Sequence, residues 1–371
     1  RVVGDPAGEA HGPVLGGSAR AVGHRHEGGL ERHDLADGLP QHALALVGLA
    51  AVGVGAAAML RRKPPPVRPA GVPLSAYDAE STAEEVTAGV DLTGKTALVT
   101  GVTSGIGLET MRVLALRGAH VIGTGRTLEK ATAACAGVVG RTTPLALELT
   151  DFPSVVACAS AVQALGVPLD ILVCNAGIMA LPNLEQVYGL EKQFVTNHLG
   201  HFLLVNHLLA QVQSAPQGRV VVVSSSALKW ADETAIEWDN LSGERDYSAN
   251  RAYGQSKLAN SLFSLQLARR MAGTATTSNS MNPGAVLTQL QRHAPAWAVS
   301  LGNVVGPAFM KSPAEGASTA CYLAANPAVE KVSGRYFIDC NPVVIGGNSE
   351  NPELAEKLWQ VSADLVREYL V

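Results

Sequence analysis

Basic residues are in no excess in this sequence: 28 lysines and arginines stand against 32 aspartates and glutamates over 371 residues, a formal net charge of -4. A nucleic-acid binder needs a concentrated basic face, so that class is set aside. Cysteine is thin as well. Cys135, Cys158, Cys174, Cys321 and Cys340 are odd in number, scattered and without a CxxC spacing. This excludes a disulfide framework or a thiolate zinc site and fits reduced thiols in an intracellular compartment. No metal is expected from the histidines either: His198, His201 and His293 lack ligand spacing and read as structural or solvent-facing.

The opening stretch has no sustained apolar period. Residues 1–42, rich in Gly, Ala and His, read as a disordered extension. They begin with Arg1 rather than Met, so they carry little weight. Ala43 to Leu60 then runs without a charge and closes on Arg61-Arg62-Lys63. That length is at the short limit for crossing a bilayer, and its Ala/Gly content makes insertion marginal. Three readings stay open: a transmembrane anchor, the core of a targeting peptide, or a low-complexity segment. As an anchor, its flanking charges leave the rest of the chain on the cytosolic or stromal side of an endoplasmic-reticulum or plastid membrane. Residues 61–90, with Pro64-Pro65-Pro66 and Pro69, read as a stiff linker, with a short surface helix expected over Asp78 to Glu85.

From Asp91 to Val371 the pattern changes to alternating strand-like and helix-like segments. Strands are expected over Lys95–Thr100, His120–Thr124, Thr143–Leu149, Asp170–Cys174, Arg219–Ser224 and Gly334–Ile338, and a helix over Leu108–Arg117. Short apolar runs separated by helical stretches predict a doubly wound α/β fold of the Rossmann type, a parallel sheet flanked by helices in a single domain. Right-handed crossovers then place any ligand along one sheet edge.

Between the first strand and helix stands Thr100-Gly101-Val102-Thr103-Ser104-Gly105-Ile106-Gly107. Three glycines let backbone approach a pyrophosphate closely, and the helix after them offers free N–H groups and a positive dipole end. Its spacing, Gly-x-x-x-Gly-x-Gly, differs from the standard dinucleotide fingerprint. After the second strand, Gly125-Arg126 offers no acidic residue for a ribose 2′-hydroxyl, whereas Arg126 can bind a 2′-phosphate. Tyr253 and Lys257, four apart, lie on one helix face.

These features together resemble the short-chain dehydrogenase/reductase superfamily, classical type. The stretches Asn197 to Phe202, Ala252 to Asn260, Asn282 to Val286 and Ser333 to Phe337 are similar to its retinol-dehydrogenase-like branch, which also holds plant and algal translocon-associated dehydrogenases. The insertion between Ser225 and Tyr253 resembles that branch too. The likeness runs from about Asp91 to Val371.

The resemblance implies NADP(H) as cofactor and a catalytic tetrad. Tyr253 is the proton donor and acceptor, and Lys257 the ammonium that lowers its pKa and holds the nicotinamide ribose. Ser225, chosen over Ser224 and Ser226, steadies the substrate oxygen, and Asn197 holds a relay water. It further implies cofactor contacts at Gly101, Thr103, Ser104, Gly105, Ile106, Gly107, Arg126, Glu148, Leu149, Asn175, Ala176 and Gly177, and at Pro283, Gly284, Val286 and Thr288. Two departures stand out: Glu148 replaces the family's shorter Asp, and Val222 replaces a strand asparagine.

Gln289 to Met310, with Ala294, Trp297, Leu301 and Phe309, reads as an apolar lid. It suits a lipophilic alcohol, aldehyde or ketone. The same residues also fit packing against a membrane or a second subunit, which leaves a homodimer open. Two function classes remain. One is an NADP(H)-dependent oxidoreductase acting on CH–OH groups; the other is an NADP(H)-binding redox-sensing or assembly subunit with little turnover.

Overall fold

The computed structural model describes residues 67–231, 234–286 and 310–370. The extension, the apolar segment 43–60 and most of the expected lid, with Thr288, lie outside the described residues. Among the described residues no helix is long and apolar enough to cross a membrane.

The main sheet has eight strands: β1 (Thr96–Thr100), β2 (His120–Gly125), β3 (Thr142–Ala146), β4 (Ile171–Cys174), β7 (Arg219–Val223), β8 (Thr277–Asn282), β9 (Tyr336–Ile338) and β10 (Asn341–Val343). They run in the order β10-β9-β8-β7-β4-β1-β2-β3. All neighbours pair in parallel except β10, which turns back on β9. A small hairpin, β5 (Gln186–Val187) and β6 (Leu190–Glu191), stands apart. The helices are α1 (Gly105–Leu116), α2 (Leu128–Ala136), α3 (Phe152–Gln163), α4 (Gly200–Gln213), α5 (Ala249–Arg270), α6 (Ser318–Ala325) and α7 (Pro352–Leu365). The doubly wound Rossmann architecture expected from the alternation is therefore present.

The central strands read as continuous apolar runs because both faces are covered. Leu98, Leu172, Val220 and Val222 enter the core shared with α3, α4, α5 and α7. Their neighbours Ala97, Val99, Ile171, Val173, Val221 and Val223 enter the opposite core, with α1 and α6. Each fully buried Leu or Phe there contributes about 1.5–3 kcal/mol.

Two local expectations are corrected, and one strand is added. The third strand stops at Ala146, and Glu148 and Leu149 lie past it: Glu148 turns its carboxylate onto the Thr150 N–H and hydroxyl at 3.0 and 2.7 Å. Asp78 to Glu85 is not a helix but a series of side-chain-held bends, Asp78 accepting from the N–H groups of Glu80 and Ser81; only Glu85–Thr87 winds into a 3₁₀ turn. The strand β8 was not expected at all. Its sequence, TSNSMN, is polar apart from Met281 and yet buried throughout. Its hydroxyls pair with serines of α5, Ser278 with Ser264 at 2.9 Å and Ser280 with Ser261 at 3.4 Å.

Of the stretch 61–90, the described part lies against the sheet. Val344 N–H donates to Val67 O at 2.8 Å, Asn341 Nδ2 donates to Tyr77 O, and Ala83 and Val86 are buried.

His198, read as structural or solvent-facing, is the former. Its ring is buried beside Phe194, Phe202 and Phe263, with Nε2 2.8 Å from Ser362 Oγ of α7. Burial pushes its pKa down to about 3. Because the unfolded chain takes up this proton near pH 6.5, the stability present above pH 6.5 is lost as pH falls toward 3. By pH 5 the loss from this one group is about 2 kcal/mol. Denaturant titrations of wild type and His198→Phe should show a shallower acid decline in the variant between pH 6.5 and 4; parallel curves would contradict the assignment.

Candidate active site

The strand order reverses at β1, with β2 and β3 laid down on one side and β4 and β7 on the other, and in sheets of this kind the ligand crevice lies at that point, outside the strands' carboxyl ends. Two loops face each other across it: the glycine turn after β1, and Asn175-Ala176-Gly177 after β4. Their contact is close. Gly101 has φ +73°, and a Cβ on it would stand 2.9 Å from Ala176; a Cβ on Gly107 would stand 2.3 Å from Gly101 O and 2.4 Å from Asn175 Nδ2. Asn175 Nδ2 donates to Thr100 O at 2.8 Å, tying the loops together.

This turn fits a dinucleotide. Ser104, the N-cap of α1, makes no side-chain cap, so the first-turn N–H groups at Gly105, Ile106 and Gly107 face the crevice without a capping partner. Gly125 packs against the same turn, where a Cβ would meet Thr103 Cγ2 at 2.9 Å and the Ala131 N at 3.1 Å. A carboxylate-bearing side chain at 125 therefore has no room without movement. Arg126 is exposed and makes no hydrogen bond or ion pair to the described residues.

On the other wall, α5 begins at the Ser248 cap and carries Tyr253 and Lys257. Both are buried, 4% exposed each, with Lys257 Nζ 5.7 Å from the Tyr253 ring centre. Three serines end β7, and the structure separates them. Ser224 is buried and donates to Lys257 O at 2.7 Å, Ser226 is exposed, and Ser225 faces Tyr253 with its Oγ accepting from Ala227 N–H. Lys257 Nζ donates to Val223 O at 3.1 Å, leaving two of its three N–H donors for a ligand. A Cβ on Gly177 would stand 3.6 Å from that ammonium and 3.0 Å from Asn197 Oδ1.

Asn197 lies in a π-helical turn, Val195–Leu199, that runs into α4. Its amide is engaged at both ends: Oδ1 accepts from Ile178 N–H at 2.9 Å, and Nδ2 donates to Ile178 O and to Ser256 Oγ at 3.0 and 2.8 Å. The side chain thus clamps the loop after β4 to α5. Pro283, Gly284 and Val286 come after β8 at the same edge. Gly284 has φ +85° and lies against the Lys311 stem, while Lys311 Nζ pairs with Asp339 at 2.6 Å.

Sequence reading missed two participants, Thr100 and Ser256; His201, read as structural or solvent-facing, is buried and structural. Thr100 and Ser256 each sit inside or beside a motif already singled out, yet a hydroxyl one residue before Gly101 or between Tyr253 and Lys257 carries no pattern of its own.

The electrostatics also depart from expectation. Burial pushes Tyr253 up to about 12, with the Ser225 hydroxyl pulling the other way, and burial pushes Lys257 down to about 8. The Lys257 amine does not bring the phenol down, and the Tyr253 hydroxyl stays protonated at neutral pH.

Residues 95–298 match the family described as short chain dehydrogenase. A Brassica napus protein named short-chain dehydrogenase TIC 32 A, chloroplastic, is 41% identical over 308 residues, covering 79% of this chain and 95% of its own length. Retinol dehydrogenase 14 of Homo sapiens is 41% identical over 293 residues, 74% of this chain and 86% of that one. A crystal structure of an uncharacterized protein from Mycobacterium paratuberculosis superposes with a TM-score of 0.61 at 32% identity, covering 76% of this chain and 97% of that one.

Lys257 supplies a stability test of this geometry. Its ordinary pKa of 10.5 falls to about 8 on folding, so its contribution is fully present above pH 10.5 and is lost as pH falls through 8. Lys257→Met should stabilise the ligand-free protein by about 3 kcal/mol at pH 7. The difference from wild type should close between pH 8 and 10.5. A gap that stays constant over that range would rule out burial of the amine.

Proposed function

We propose that this chain, which belongs to the short-chain dehydrogenase family, moves hydride between NADP(H) and a lipophilic alcohol, aldehyde or ketone. Members of the family are oxidoreductases that bind NAD(P); the choice of NADP(H), the substrate class and the residue roles are our reading. The observation that carries it is the convergence of Tyr253, Ser225 and Lys257 on the crevice beside the glycine turn.

When bound, the nicotinamide supplies or accepts the hydride, and its oxidised ring carries positive charge. The chain's own residues do the rest. In reduction the Tyr253 hydroxyl gives its proton to the carbonyl oxygen, and in oxidation it takes the proton back. Ser225 donates to that same oxygen and sets its direction. The free N–H donors of Lys257 hold the ribose hydroxyls and keep a positive charge near the phenol. The first-turn N–H groups of α1, with Thr103 and Ser104, take the pyrophosphate. Arg126 takes the 2′-phosphate, and Gly125 excludes the carboxylate that would repel it. Glu148, Leu149, Asn175, Ala176 and Gly177 border the adenine side and the floor, and Pro283, Gly284, Val286 and Thr288 the carboxamide side. Asn197 holds a relay water.

A lipophilic substrate is supported by Trp230, 52% exposed with its ring 6.1 Å from that of Tyr253, and by the likeness to a protein named retinol dehydrogenase 14. We assign the catalytic domain to residues 91–371. The likeness to a protein named as chloroplastic favours a plastid targeting or anchoring role for 43–60, with the domain on the stromal or cytosolic side.

A panel of lipophilic aldehydes and ketones, offered with NADPH and with NADH, tests the reading. Tyr253→Phe should lower carbonyl reduction by about 10³-fold or more and leave NADPH binding intact; undiminished turnover would remove Tyr253 as proton donor. Arg126→Asp should weaken NADPH relative to NADH by about 10-fold or more, the worth of one charge-assisted contact. An unchanged cofactor ratio would place the 2′-phosphate elsewhere.

A further inference from the structure

We propose that His201 is a positioning residue that connects the nucleotide turn to the helix carrying Tyr253 and Lys257. It does so through two sets of buried hydrogen bonds joined by Asn197, whose main-chain carbonyl meets the ring and whose side chain meets Ser256; the inference rests on the oxidoreductase reading above.

The first set starts at Thr100, the last residue of β1. Its Oγ1 accepts from Asn175 N–H and Ala176 N–H, both at 2.9 Å, which fills both lone pairs. The one hydroxyl proton then goes to His201 Nε2 at 2.9 Å, a better placed acceptor than Val173 O at 3.4 Å. On the far side of the ring, Nδ1 is 3.0 Å from Asn197 O. A carbonyl can only accept, so Nδ1 carries the ring proton and Nε2 is bare. The two contacts select a single neutral tautomer. Burial holds the imidazole neutral, with its pKa down to about 4.

The second set starts at the Asn197 side chain. Its Nδ2 donates to Ser256 Oγ at 2.8 Å, and Ser256 Oγ donates to Tyr253 O at 2.8 Å. Thr100, His201, Asn197, Ser256 and Tyr253 are thus joined in sequence, and every member is buried. The π-helical turn over Val195–Leu199 shifts the helical pairing by one residue, and Asn197 O receives the histidine there. One ring therefore touches the residue that shapes the glycine turn and the residue that clamps α5.

The two arms can be cut separately. His201→Asn keeps the bond to Asn197 O through its amide, as Asn206 does to Phe202 O at 2.7 Å in the same helix, but is too short to reach Thr100. His201→Gln reaches Thr100 through its amide oxygen and gives up the carbonyl arm. Measured by NADPH fluorescence and by steady-state turnover at saturating NADPH, His201→Asn should raise the NADPH Kd about 10-fold with kcat within about twofold. His201→Gln should lower kcat about 10-fold with Kd within about twofold. A tenfold change is what one neutral buried hydrogen bond is worth.

Equal loss of both quantities in both variants, or no change in either, would overturn the proposal. The ¹⁵N shifts of the wild-type His201 ring give a check that needs no variant: the Nδ1–H tautomer is expected with and without NADPH, and an Nε2–H ring would also overturn it. A wild type that binds NADPH but reduces none of the carbonyls would defeat the oxidoreductase reading instead. The Kd arm and the tautomer would still decide the placement of His201.

Discussion

Two loops must meet at the point where the strand order reverses, and the contact between them leaves no room for a side chain. Gly101 faces Ala176, and Gly107 faces both Gly101 O and the Asn175 amide. Any Cβ at Gly107 would push the turn off the loop after β4, and with it the start of α1. The hydrogen bonds that converge on Thr100 exist because the loops are this close. So does the shape of the crevice, since α1 can present its first N–H groups to a ligand only from this position. Thr100 and Asn197 are buried, so their polar groups must find partners within the protein, and the half-buried Asn175 does the same. Thr100, Asn175 and Asn197 do so by bonding to one another's neighbourhood rather than to ordinary sheet or helix ladders.

Tyr253 and Lys257 are set in the same dry environment, and that explains their electrostatics. An amine and a phenol at ordinary pKa values would be charged and neutral, respectively, at neutral pH. Burial moves both away from their usual values, in the directions that disfavour charge on either. At pH 7 the phenol is therefore neutral, while the amine, at about 8, still carries its proton in a site lined by Val223 O and hydroxyls. Charge arriving with a ligand is screened weakly there and acts strongly on both groups.

How much of this was legible in the sequence depended on what kind of signal each part carries. β1, β2, β4 and β7 were readable because strands covered on both faces must be apolar throughout. The spacing of Gly101, Gly105 and Gly107 and the pair Tyr253 and Lys257 were readable because each reflects a steric or facial constraint. β8 was not, because its buried side chains are polar and are satisfied by Ser261 and Ser264, on a helix earlier in the chain; no local pattern announces such a pairing. The end of β3 was misplaced because Glu148 and Leu149 look strand-like, and only the Thr150 bonds to the carboxylate reveal the turn. The π turn at Asn197 left no mark either: an extra residue in a helix is a property of packing, and His201 at helical spacing looks like any core histidine.

The strap from Val67 to Tyr77 has a mechanical consequence. It is bonded to β10 and the residue after it, at the edge strand farthest across the sheet from β3. Arg68 Nη1 adds a bond to Pro342 O on the same strand. A load applied to the chain at residue 67 is taken up first by these few bonds and by the antiparallel β9–β10 pair. The glycine turn lies at the end of β1, behind the continuous parallel ladders of β9, β8, β7 and β4. Strain entering at residue 67 would peel the segment from this edge before it reached β1, the next strand along the chain.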